Sequence, residues 1–257
     1  MPDLTFTRLG GSPDSTRLLV VGPSLGTSVE ALWDRAARLL EAEVVGWDLP
    51  GHGRSAPATA PFSVASLADA VRTKVADLAA GRPASYAGVS LGGAVALQLA
   101  LDPGVFDHVV CIASAARVGE PSMWADRATL VRQAGTPVMV GPSAQRWFSG
   151  AFLAREPGVA NRLLLSLSDT DKESYALACE ALAGFDLRDR LDRVRTRLVV
   201  APGELDVVVP RELAEQTAAA AGAELVVLPE CGHLPPAENP VAVAGLLSDA
   251  WEVAPRG

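Results

Sequence analysis

Short apolar runs alternate with amphipathic stretches along the chain. Six runs bounded by turn residues stand out: TRLLVVG (Thr16–Gly22), AEVVGWDLP (Ala42–Pro50), ASYAGVS (Ala84–Ser90), HVVCIAS (His108–Ser114), TRLVVAPG (Thr196–Gly203) and AELVVLPE (Ala223–Glu230). Continuous apolar runs of this length, rather than strict alternation, mark strands buried on both faces, as in a parallel sheet. Between them, Val64, Leu67, Ala68, Val71, Val75 and Leu78 recur at helical spacing, with Gly81 as a C-terminal stop. Arg211–Ala221 predicts a second clear helix. Strand and helix in alternation predict an α/β fold with a doubly wound, mostly parallel sheet. The alternation breaks between Arg117 and Arg190, where SMWADRATLVRQAG, AQRWFSGAFLAREPGVANRLLLSLS and DKESYALACEALAGFDLRDRL read as helical without a strand. This predicts a helical cap over residues 117–190, inserted between core segments 1–116 and 191–257. The cap would lie over the carboxyl edge of the sheet, where open α/β sheets bind ligands.

One of the predicted strand-to-helix turns carries chemistry. Gly88-Val89-Ser90-Leu91-Gly92 is G-x-S-x-G placed between a strand and a helix, the context that a nucleophile elbow requires. Glycines let two backbone segments approach around a strained turn, and the serine hydroxyl is held out at the top of the sheet. The helix N-terminus beneath it favours developing negative charge. A plain Gly-rich turn is the simpler alternative. A dinucleotide loop lacks its second Gly-x-Gly here, and a P-loop lacks its lysine.

A serine at its free pKa needs a base, and the chain has three histidines. His52 precedes Ser90, in DLPGHGRS, and His108 opens a predicted strand, which suits a structural role. His233, in LPECGHLPP, follows the last strand. The order serine, acid, histidine of this fold selects it. For the acid, GELD after the preceding strand offers Glu204 and Asp206. Asp206 is favoured, placed to accept from the far nitrogen of His233 and fix its tautomer. An oxyanion hole needs two backbone N–H groups. Leu91 supplies one, and GPSLGTS supplies the other, from Leu25 or, as the alternative, Ser24.

Composition narrows the partners. The 257 residues carry a net charge of −8, with a pI of about 4.9, which argues against nucleic acid, whose phosphates need a basic face. No apolar run is long enough for a membrane span, and the first residues show no secretory leader. Cys111, Cys179 and Cys231 are too far apart for a metal site or a disulfide framework, so a reducing cytoplasm is the expected setting.

With these residues in place the whole chain resembles the α/β-hydrolase superfamily, in whose order DLPGHGRS, GVSLGG, GELD and CGH fall. Within it the chain resembles the 3-oxoadipate enol-lactonases of the β-ketoadipate pathway. The features are SLGTS with Trp33 soon after, ASAARVG (Ala113–Gly119), Trp124, RWFSGAF (Arg146–Phe152) and YALACEALAGFDLR (Tyr175–Arg188). Two departures are a short N-terminus that lacks one edge strand, and Pro23 in the first loop. The resemblance implies opening of a small carboxylate-bearing enol-lactone through a serine acyl-enzyme, with no metal or cofactor. In some relatives such a domain is fused to a carboxymuconolactone decarboxylase, and the linker-like EVAPRG at the C-terminus suits that arrangement. An anionic substrate directs attention to charge. Arg117 to Arg162 contains arginines 117, 127, 132, 146, 155 and 162 against Glu120, Asp126 and Glu156. Arg127 and Arg132 are the candidates to pair bidentately with a carboxylate. Trp124 and Trp147 are candidates to line the pocket, with packing between cap and core as the alternative.

Competing functions use the same machinery: a carboxylesterase, a C–C bond hydrolase or a cofactor-free perhydrolase. A non-catalytic binding module on a hydrolase scaffold is a third class, and the intact Ser90, Asp206 and His233 set weighs against it.

Overall fold

The computed structural model describes residues 1–252, so all but the first residue of EVAPRG lies outside the described part. Seven strands form one sheet: β1 (Phe6–Gly10), β2 (Leu18–Gly22), β3 (Glu43–Trp47), β4 (Ala84–Val89), β5 (Phe106–Ile112), β6 (Arg197–Ala201) and β7 (Glu224–Leu225). Their order is β1-β3-β2-β4-β5-β6-β7. β1 runs antiparallel to β3 and every other pair is parallel. Every residue of β2, β3 and β4 is buried, which is why these strands read as unbroken apolar runs.

Connectivity places the site. From β2 the chain passes through α1 (Val29–Ala37) to β3 on one side. It then returns through α2 (Val64–Ala79) to β4 on the other. Right-handed crossovers put these two helices on opposite faces, and the reversal opens a crevice beyond the carboxyl ends of β2 and β4. α3 (Leu91–Leu101) leaves β4 directly and is buried at every position except Gln98. It packs on β4 and β5 with α2 against it. Ser63 caps α2 in a reciprocal box with Ser66, satisfying two of the free first-turn donors.

Between β5 and β6 the chain is helical: α4 (Pro121–Ala134), α5 (Val140–Trp147), α6 (Gly150–Arg155), α7 (Pro157–Ser168) and α8 (Lys172–Ala183), with 3-10 turns at Thr136–Met139 and Arg188–Arg193. α4 and α8 lie against each other. After β6 come α9 (Arg211–Ala221), α10 (Pro235–Glu238) and α11 (Pro240–Glu252).

Two elements differ from expectation. The run Ala223–Glu230 is a strand only at Glu224–Leu225, with one further bridge from Leu228 to Gly203. It is the sheet's last strand, so it has a neighbour on one side only. β1 gave no strand signal, because its residues are half-buried or exposed and no apolar run forms. No helix among the described residues is long and apolar enough to cross a membrane.

α2 ends on Ala80 at φ 49°, ψ 37°, a left-handed position that costs an L-residue about 1–2 kcal/mol. Ala80→Gly should therefore raise stability by about 0.5 kcal/mol, after the entropy that glycine adds to the unfolded chain. A chemical denaturation midpoint that moves up with unchanged slope would show it.

Candidate active site

Ser90 sits at the tip of the β4–α3 turn with φ 55° and ψ −111°, a region L-residues rarely occupy. The turn closes because its flanks lack side chains. A Cβ on Gly88 would overlap the Gly92 carbonyl, and one on Gly92 would stand 2.6 Å from the Pro23 carbonyl oxygen. Ser90 N–H donates to the Ile112 carbonyl (2.9 Å), and Gly92 N–H donates to that of Pro23 (2.9 Å). The elbow is thus tied to the end of β5 and to the loop after β2. Leu91 N–H, the first of α3, makes no hydrogen bond among the described residues.

The loop after β2 is rigid through its own bonds. Thr27 Oγ1 accepts from Ser24 N–H (3.1 Å) and donates to the Ser24 carbonyl (2.9 Å). Trp33 Nε1–H, fully buried, donates to the Gly22 carbonyl (2.9 Å). Asp48 holds the start of α1 through Val29 N–H (2.7 Å). Ser24 N–H is therefore occupied. Leu25 N–H has no partner among the described residues.

On the loops that follow β7 and β6, His233 Nδ1 and Asp206 Oδ2 are 2.9 Å apart, and both side chains are buried. Asp206 Oδ1 accepts from Val208 N–H (2.7 Å) and Val209 N–H (3.1 Å). With the carboxylate so filled, Nδ1 is the protonated donor and Nε2 is left as the acceptor. Neither His233 Nε2 nor Ser90 Oγ has a partner among the described residues. Glu204 is exposed and caps Glu230 N–H (2.9 Å), away from the histidine. His108 is buried beside Asp107 and Arg197, at the opposite end of β5 from the elbow.

The candidate residues of the helical segment between β5 and β6 divide. Trp147 is buried, and its ring reaches within 3.4 Å of where a Cβ on Gly26 would stand, as does Tyr175. Both therefore wall the loop that carries Leu25. Trp124 is buried and donates from Nε1 to the Val118 carbonyl (2.6 Å), a contact at the base of the cap. Arg127 is half-buried, with its guanidinium 4.6 Å from the centre of the Trp124 ring. Burial pushes the Tyr175 hydroxyl up, while Arg127 and Arg146 pull it down, so both guanidiniums lie near it. Arg132 is already paired. It pairs on the outer surface with Glu173 (2.7 Å) and Glu180 (2.6 Å), which hold its pKa well above the ordinary value. Lying five residues on from Arg127, it points about 140° around the helix from it. A groove of about 410 Å³ lined by Ala115, Ala116, Arg117, Leu213 and Thr217 lies beside α9 and contains none of Ser90, Asp206 and His233.

His52 is buried and stacked on Tyr175, with ring centres 6.3 Å apart. Its Nδ1 donates to the Pro50 carbonyl (2.9 Å), and Nε2 is buried without a partner among the described residues. Burial lowers its pKa to about 4 against the pull of the Pro50 carbonyl. The three cysteines are buried and unpaired, with thiols pushed up to about 12 by burial.

The fold thus combines a strand–serine–helix elbow at a topological switch point with a buried histidine–carboxylate pair on the loops that follow β6 and β7. The chain belongs to the alpha/beta hydrolase family, whose model matches residues 18–246. It is similar to 3-oxoadipate enol-lactonase 2 of Acinetobacter baylyi, 32% identical over 193 residues, covering 74% of this chain and 72% of the relative. It is also similar to the crystal structure of the enol-lactonase from Burkholderia xenovorans LB400, with a TM-score of 0.90 at 28% identity, covering 97% of this chain and 96% of that one. A pimeloyl-[acyl-carrier protein] methyl ester esterase of Neisseria meningitidis is 28% identical over 214 residues, 80% of this chain and 81% of the relative.

His52 makes acid stability testable. Unfolded, it titrates near 6.5; folded, near 4. The unfolded chain binds the extra proton, so stability is full above about pH 6.5 and is lost as pH falls to about 4. The loss from this group is about 3 kcal/mol at most. His52→Gln should flatten that part of a plot of melting temperature against pH, whereas an unchanged slope would remove His52 as its source.

Proposed function

We propose that the protein is a serine hydrolase that opens a small carboxylate-bearing enol-lactone, 3-oxoadipate enol-lactone to 3-oxoadipate. The buried Asp206–His233 pair and the strained Ser90 support the hydrolytic chemistry. The enol-lactonase relatives support the substrate. The observation that carries an anionic substrate is the placement of Arg127. It is half-buried near Tyr175, with no ion-pair partner among the described residues, behind the wall of the Leu25 loop.

In this reading Ser90 Oγ attacks the ring carbonyl carbon while His233 Nε2 takes its proton. Asp206 keeps Nδ1–H in place and stabilises the imidazolium. The oxyanion accepts from Leu25 N–H and Leu91 N–H, both uncommitted in the resting site. Collapse breaks the ring C–O bond, and the departing enol oxygen takes the proton from His233. The enol then tautomerises to a ketone. Water, deprotonated by His233, attacks the acyl-serine and releases the acid. Arg127 pairs with the carboxymethyl arm, and Trp147 bounds the ring. The setting that suits such a protein is the cytoplasm.

The test is loss of the enol-lactone's ultraviolet absorbance with purified protein. Ser90→Ala should lower turnover by on the order of 10⁴-fold or more, with little change in melting temperature, since relief of a strained turn offsets lost contacts. Arg127→Gln should raise KM for the enol-lactone about tenfold and leave p-nitrophenyl acetate cleavage unchanged. Cleavage of p-nitrophenyl acetate without enol-lactone turnover would move the protein to the carboxylesterases, consistent with its methyl ester esterase relatives.

A further inference from the structure

The loop that carries His233 is gripped by a second carboxylate. Glu238, on the single-turn helix α10, is 3% exposed. Its Oε2 accepts from Gly232 N–H (3.0 Å) and from Ser149 N–H (2.9 Å), and its Oε1 accepts from Leu234 N–H (3.1 Å). Gly232 and Leu234 flank the histidine. Ser149 belongs to the cap, where it is the N-cap of α6. A further bond joins the same two segments, since His233 N–H donates to the Trp147 carbonyl (2.8 Å). Gly232 permits the contact. A Cβ there would stand 2.9 Å from the Trp147 oxygen and 3.1 Å from both Ser149 N and Glu238 Oε1.

Glu238 has no cationic partner among the described residues. Its charge is balanced by three main-chain donors, and charge-assisted bonds of this kind are stronger than neutral ones. A carboxylate is needed for the pattern. Both oxygens accept, whereas a glutamine would present an N–H to one of the donors. The same group therefore fixes the backbone on both sides of His233 and the turn that carries Trp147.

We propose that Glu238 is a positioning residue. It sets the height of the His233 imidazole over Ser90 and locks the histidine loop to the Trp147 wall of the pocket, so that base and pocket keep one geometry. This rests on the reading of Ser90, His233 and Asp206 as the catalytic set.

Ser149 isolates the junction. Its φ of −68° fits proline, and Phe148 at φ −119°, ψ 147° fits the residue before one. Ser149→Pro thus deletes the N–H that Glu238 grips. Ser149→Ala keeps that N–H and removes only the cap to Phe152 N–H. Glu238→Gln attacks the junction from the other side. The readouts are the rate at which a fluorophosphonate labels Ser90, and kcat and KM for p-nitrophenyl acetate, on variants whose near-ultraviolet circular dichroism matches wild type. Labelling and kcat should fall about ten- to a hundredfold in Ser149→Pro and Glu238→Gln relative to Ser149→Ala, with KM within about twofold, as misplacement of a catalytic group predicts. Equal labelling in Ser149→Pro and Ser149→Ala would overturn the role of Glu238 while leaving the triad standing, and this comparison holds whether or not Glu238→Gln folds. Failure of wild-type protein to label at Ser90 would overturn the triad, and this role with it.

Discussion

At the top of the sheet two lengths of main chain meet with no side chain between them. Gly88 and Gly92 are in contact across the β4–α3 turn, and Gly92 lies in turn against the Gly22–Pro23 backbone. Only that closeness lets Gly92 N–H reach the Pro23 carbonyl and Ser90 N–H reach the end of β5. Ser90 is forced to positive φ as a result. The cost of such a conformation, of order 1–3 kcal/mol, is offset locally by these bonds and by burial of nearly all of α3. Strain at Ser90 is therefore a property of the packed core beneath it rather than of a flexible loop.

Selective satisfaction of hydrogen bonds then shapes the crevice. Backbone donors near it are mostly filled: Ser24 by Thr27, Gly92 by Pro23, Gly232 and Leu234 by Glu238. Leu25 N–H and Leu91 N–H have no partner among the described residues. Free N–H groups are rare in a packed region, and an uncommitted one carries partial positive charge without a charged side chain.

The sheet was readable from sequence where strands are covered on both faces, because β2 to β6 then become unbroken apolar runs. The two edges were not. β1 is half-exposed and never forms a run, and the apolar stretch after Ala223 pairs over only two residues because its outer side has no neighbour. Ser90, Asp206 and His233 stood out because they lie on turns and loops after strands in the order serine, acid, histidine. Arg127 and Arg132 could not be told apart, since spacing along α4 does not say which face meets α8. Thr27 offered a usable signal for the choice between Ser24 and Leu25: a threonine three residues on can turn back to the main chain. Glu238 gave only the hint of a lone acid after two prolines, and its three donors come from segments distant in sequence.

The abbreviated edges have a meaning of their own. β7 offers two residues of ladder, and β1 breaks register between Arg8 and Gly10, with Arg8 bound to Glu43 at its middle. A neighbouring molecule seeking to extend the sheet would find neither a long straight template nor an uncharged one. The layout that makes these strands hard to recognise also makes them poor seeds for sheet-to-sheet aggregation, so at high concentration the molecule's weak points lie in its exposed side chains rather than in its sheet.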